Sequence, residues 1–167
     1  IGHETKLVSI NTDKTMLKLR CTLKDGVIVD HVIKTVADGV SFNLVASNKG
    51  NQISSAHWAQ PCTRVGLFTG TGANVTDSKY AYLKKSFIFQ DKDDKPDFMP
   101  TAGWSVKGRY TPGQVWCPKH VPRADVNPRP LHPEAPHLGL IGCVSSDDKW
   151  LLAIAWEPYQ ELFQGVI

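Results

Sequence analysis

The sequence predicts an all-β protein, an antiparallel β-sandwich carrying one long proline-rich loop. Apolar and polar residues alternate with a period of two through the first third of the chain. Turn signals recur there about every 10 residues, the spacing of a sandwich or barrel. No segment shows the periodicity of a helix longer than a turn or two.

Each element follows from its residues. "LKLRCTLK" at 17–24 alternates at every step, as a half-buried strand does. Asp25-Gly26 then makes a hairpin turn, since both residues tolerate positive φ. "VIVDHVIKTV" at 27–36 is rich in β-branched residues and reads as the next strand. Asp38-Gly39 turns into "VSFNLVAS", and "NKGN" at 48–51 turns again. This is an antiparallel meander. Farther on, "TGTGANVTDS" reads as a surface loop, "SFIFQ" as a short strand and "DKDDKPD" as a charged turn. "GWSVKGRY" and "GQVWC" are short strand candidates. The segment 118–136, "PKHVPRADVNPRPLHPEAP", cannot be helix or central strand, because proline lacks the N–H donor and fixes φ. A loop of this length is either functional or a rigid polyproline-like strap. "LGLIGCV" and "WLLAIAW" flank the hairpin "SSDDK", and "EPYQELFQGVI" closes the chain.

The 167 residues fit one domain spanning 1–167 that can bury a sizeable core. With 41% hydrophobic and 21% charged residues the composition is that of a folded domain, not a disordered one. The net charge of +3 comes from scattered Lys and Arg, so no nucleic-acid partner is expected. No apolar run is long enough for a membrane-spanning helix, and no membrane partner is expected. The chain starts on "IGHETK", without Met or signal peptide, and stops on the strand-like "LFQGVI"; it is expected to be a processed chain or a piece of a longer one. A sheet cut short exposes edges, which invite a second chain or a second copy to complete it.

Cys21 and Cys143 lie in strand-like runs and read as buried thiols. Cys62 and Cys117 lie in loop-like segments and can form one disulfide. Without a Cys-x-x-Cys pair a structural zinc site is not expected. Asn74-Val75-Thr76 is a glycosylation-type triplet.

Candidate chemistry centres on "SSAHWAQPCTR" at 54–64 and on "AWEPYQ" at 155–160. Histidine titrates near neutral pH. A glutamate directly after an apolar strand stands either at the solvent end or desolvated on a concave face, where its pKa would rise toward that of a working base. His57 and Glu157 facing across a pocket would suffice for acid–base chemistry on a small molecule. Composition and spacing alone favour plainer roles: a hydrogen bond to a neighbouring carbonyl for His57 and a surface carboxylate for Glu157.

The segment "VSFNLVASNKGNQISSAHWAQP" resembles the galactose-mutarotase-like β-sandwich families, in which a strand leads to an Asn-x-Gly turn and then to a histidine followed by an aromatic. Here these are Asn48, Gly50, His57 and Trp58. "AWEPYQ" is similar to the late strand of those families, with Glu157 and, three residues on, Gln160. The resemblance implies a sandwich or part of one, and a sugar or polysaccharide ligand. It implies His57 as the acid that protonates the ring oxygen and Glu157 as the base at the anomeric hydroxyl, that is, aldose 1-epimerase-like isomerisation without a cofactor. Trp58, Gln60, Arg64, Trp116 and Gln160 are the candidate substrate contacts. Complete mutarotases are longer, and Trp58-Ala59-Gln60-Pro61 stands where they carry a different run. A non-catalytic carbohydrate-binding module, or an accessory β-domain of a longer secreted protein, is the alternative. A secreted or periplasmic location accompanies these readings.

Indole rings stack on pyranose faces. Trp58, Trp104 and Trp116 lie in or near loops and can line such a platform, whereas Trp150 and Trp156 flank an apolar strand and read as core. Arg64, Arg109, Arg123 and Arg129 can bind the carboxylates of acidic sugars. The rival chemistry is a metal-dependent hydrolase or lyase site in the proline-rich loop, from His120, Asp125, His132, Glu134 and His137, although their spacing fits no standard zinc signature. Nucleophilic catalysis has no Gly-x-Ser-x-Gly elbow to support it.

Overall fold

A computed structural model describes residues 2–56, 59–70, 81–90, 95–99, 113–122 and 131–165. Among them the chain is all-β, with antiparallel sheets and a single five-residue 3-10 turn at Ala81–Lys85. It divides into two compact units, Ile1–Gln60 and Pro61–Ile167.

The first unit is a four-stranded meander of β1 (His3–Ile10), β2 (Met16–Leu23), β3 (Val27–Val36) and β4 (Gly39–Asn48), in that spatial order. β3 occupies the ten residues expected of it, because β-branched side chains pack well on a pleated surface. Gly26 takes φ 91° in the β2–β3 turn, and its N–H donates to Leu23 O (3.0 Å). β1 is a strand that the sequence reading did not include. Its register slips between Leu7 and Ser9, so Val8 is a bulge residue that interrupts the alternation. The β1–β2 connection is closed by Asn11, whose Oδ1 accepts from Met16 N–H (2.8 Å).

Register sorts this sheet into two faces. Leu7, Leu19, His31 and Leu44 stand in one cross-strand row, with Ile10, Leu17, Ile33 and Phe42 in another on the same side. Lys6, Arg20, Asp30 and Val45 form a row on the opposite side. There Arg20 donates twice to Asp30, from Nε at 2.7 Å and from Nη2 at 2.9 Å.

The second unit holds two sheets. One orders β6 (Asp97–Phe98), β5 (Ser86–Ile88), β8 (Leu140–Val144) and β9 (Leu151–Ala155). The other pairs β7 (Gly113–Trp116) with β10 (Leu162–Gly165). A core of Tyr82, Leu83, Ile88, Met99, Trp116 and Leu162 joins them, with Val65, Ile141 and Tyr159 packed against it. Gly142 is required beneath a ring: a Cβ there would stand 2.9 Å from Phe87 Cε2. The β8–β9 hairpin turn is closed by Ser145, whose hydroxyl donates to Asp147 (2.7 Å) and accepts from Trp150 N–H (3.0 Å).

Residues 71–80, 91–94, 100–112 and 123–130 lie outside the described residues, and with them the expectations for most of "TGTGANVTDS", for Asn74-Val75-Thr76 and for "GWSVKGRY".

Candidate functional site

The β9–β10 connection carries two of the residues singled out from the sequence. Trp156 N–H donates to Gly139 O (3.0 Å) and ends the β8–β9 pairing. Glu157 and Gln160 are then exposed, whereas Tyr159 between them turns inward onto the core. Its hydroxyl donates to Pro136 O (3.2 Å), at the end of the proline-rich segment. Gly139 makes this close approach possible, since a Cβ there would lie 2.9 Å from Trp156 O and would overlap the Tyr159 ring. Burial first, then the charges of Glu157 and Cys117 when ionised, push the Tyr159 phenol above its ordinary value, so it stays a neutral donor at pH 7. The turn is thus a tyrosine anchor flanked by an exposed carboxylate and an exposed amide. Glu157 stands at the solvent end of its strand, one of the two positions its sequence context allowed.

Other candidates fall elsewhere. Trp116 is fully buried in β7, so it belongs to the core and cannot serve as an open sugar platform. Its indole stacks with the His132 ring, centroids 6.2 Å apart and planes at 26°. Trp150, which flanks an apolar strand and reads as core, is instead 68% exposed at the hairpin end. Gln60 is exposed at the end of the first unit and Arg64 near the start of the second. His57 and Trp58 lie outside the described residues, as do Trp104, Arg109, Arg123, Asp125 and Arg129.

What leads up to His57 is well ordered by hydrogen bonds. The Ser54 hydroxyl donates to Asp25 Oδ2 (2.6 Å) and accepts from Ala56 N–H (2.9 Å). The polar run after the fourth strand is therefore pinned to the β2–β3 turn. The Ser54 contact, with smaller help from backbone N–H groups, holds the Asp25 carboxyl below the usual carboxylate range.

Of the histidines named for the proline-rich segment, His132 is buried and packed, whereas His120 and His137 are exposed. Glu134 N–H donates to His132 Nδ1 (3.1 Å), and Glu134 O lies 3.3 Å from the same ring nitrogen. The Gln90 amide lies against both ring nitrogens, at 3.1 and 3.2 Å. His132 N–H donates to Val115 O (2.7 Å) and His137 N–H to Phe89 O (2.8 Å), so the segment is stitched along the second unit by its backbone. Among the described residues no group of three or more His, Cys, Asp or Glu can hold a metal ion. Cys62 and Cys117 are thiols, not a disulfide; Cys62 is exposed, and the Cys117 thiol donates to Pro118 O (3.5 Å).

Sequence reasoning missed Tyr159, Gly139 and Pro136, which hold the turn. The one signal for them was the aromatic inside "EPYQ". Compared with known protein families, with curated proteins and with solved structures, the chain matches none of them.

Proposed function

We propose that the chain is a carbohydrate-contacting β-protein of the binding-module type, and that Glu157 and Gln160 are its sugar contacts. The observation that carries the reading is the Glu157–Gln160 turn itself. It exposes a carboxylate and an amide on either side of a half-buried tyrosine anchor. Such a pair offers acceptors and donors to vicinal hydroxyls, and its anchoring lowers the ordering cost of binding. Glu157 stands exposed on a turn instead of inside an enclosed pocket, which favours binding over anomer interconversion. The two sheets of the second unit, joined by one core, are read as the layers of a sandwich.

The test is a titration of hexoses, uronic acids and polysaccharides against the wild type, Glu157→Gln and Gln160→Ala, with anomer exchange followed by NMR in the same samples. Saturable binding that both substitutions weaken, with exchange at the uncatalysed rate, is the expected result. Catalysed exchange that Glu157→Gln abolishes would replace this reading with a mutarotase. Absence of binding to every sugar would leave an accessory β-domain.

A further inference from the structure

The first unit presents a sheet face without a single Lys, Arg, Asp or Glu. The charged residues of its strands, Glu4, Lys6, Lys18, Arg20, Asp30 and Lys34, all project from the other side. On the uncharged side Leu7 is 61% and Phe42 57% exposed, and Leu19, Ile33 and Leu44 are only half-buried. A single sheet with one apolar face reaches independent stability by packing that face on a second layer.

We propose that this face is the interface for a second copy of the chain, packed face to face about a two-fold axis. Three observations select a second copy. A face without Lys, Arg, Asp or Glu, on which His3 and His31 are the titratable groups beside Cys21, offers little for a charged partner to complement, and it meets its own image without repulsion between like-charged lysines, arginines or carboxylates. Its size fits: at about 4.8 Å between strands and about 3.3 Å per residue, four strands of 8–10 residues cover roughly 20 by 27 Å. Side chains standing off that plane bring the accessible area to the order of the ~800 Å² per partner that a stable interface buries. The β1 edge, finally, is poorly suited to pairing in the sheet plane. It carries Glu4 and Lys6 and is bent by the bulge at Val8, devices that disfavour association through this edge. Two such sheets stacked about 10 Å apart would form a sandwich across the dimer.

The test uses the full chain. Sedimentation equilibrium is expected to show a monomer–dimer equilibrium. Phe42→Glu is expected to shift it to monomer, whereas Lys34→Glu on the opposite face leaves the dimer in place. Cys21 supplies a readout that needs no substitution, because it lies on the same face, opposite Val29. If labelling proceeds only through the monomer, maleimide modification of the Cys21 peptide slows roughly tenfold where nine-tenths of the chains are dimeric. A monomer at all concentrations, a dimer indifferent to Phe42→Glu in a folded variant, or Cys21 labelling independent of concentration would each overturn the proposal.

Discussion

The Trp116 indole stacks on the His132 imidazole in the core of the second unit, with the rings 6.2 Å apart and inclined by 26°. This contact ties the proline-rich segment to β7 from the side, where His132 N–H already donates to Val115 O. It also sets Trp116 apart from any surface role.

Trp116 is fully buried, so Trp116→Ala is expected to cost about 3–5 kcal/mol in denaturant unfolding. Trp116→Phe should cost clearly less. The indole Nε1 is buried without a hydrogen-bond partner among the described residues, and removing an unsatisfied donor recovers part of the lost packing. Sugar binding by folded Trp116→Phe should equal that of the wild type. A selective loss of binding at unchanged stability would return this residue to the site.

Gly139→Ala should destabilise the second unit by about 1–3 kcal/mol, because the new Cβ meets both the Trp156 carbonyl and the Tyr159 ring. Binding through Glu157 and Gln160 should weaken as well, although Gly139 touches no ligand. Thermal melts and sugar titrations on the same preparation check both effects.

The Arg20–Asp30 pair makes the first unit sensitive to acid. The hydrogen bond from Arg20 holds the Asp30 carboxyl below its ordinary value, with the Arg20 charge contributing less. A depressed carboxylate stabilises the fold at pH above its unfolded value, about 3.9. That contribution disappears as pH falls from there through the lower folded value. Asp30→Asn should therefore flatten the fall in stability below about pH 4, as read from unfolding midpoints across a pH series.

Ser54→Ala should release the Asp25 carboxyl upward toward its ordinary value, since the Ser54 hydroxyl is the largest cause of its depression. An NMR titration of Asp25 reads this directly. Amide exchange at Ala56 should accelerate in the same variant, because its N–H loses the Ser54 Oγ acceptor. An unchanged Asp25 titration would mean that Ser54 does not anchor the segment before His57.

Much of the first unit was legible because its determinants are local. A side-chain period of two and a glycine at φ 91° are written within a few residues, and β3 runs from Val27 to Val36 as read. β1 escaped because the bulge at Val8 places Leu7 and Val8 side by side, which breaks the alternation that marks a strand. The candidate site was legible only in part. Glu157 and Gln160 stood out by type and spacing, but Gly139 and Pro136, which seat the tyrosine between them, lie about twenty residues upstream and carry no local mark.

The sequence by itself determined that this chain is all-β, where its meander turns, and that polar groups gather at 157–160. Tertiary structure alone decided which aromatic residues are core and which are surface. Trp116 is buried because β7 pairs with β10 on one side and is bridged through Val115 to Leu131 on the other. Trp150 is exposed because it sits beyond the last pair of the β8–β9 hairpin. Both tryptophans border apolar runs, so composition cannot separate them. Burial follows from which strands become neighbours, and that is set by contacts distant in sequence.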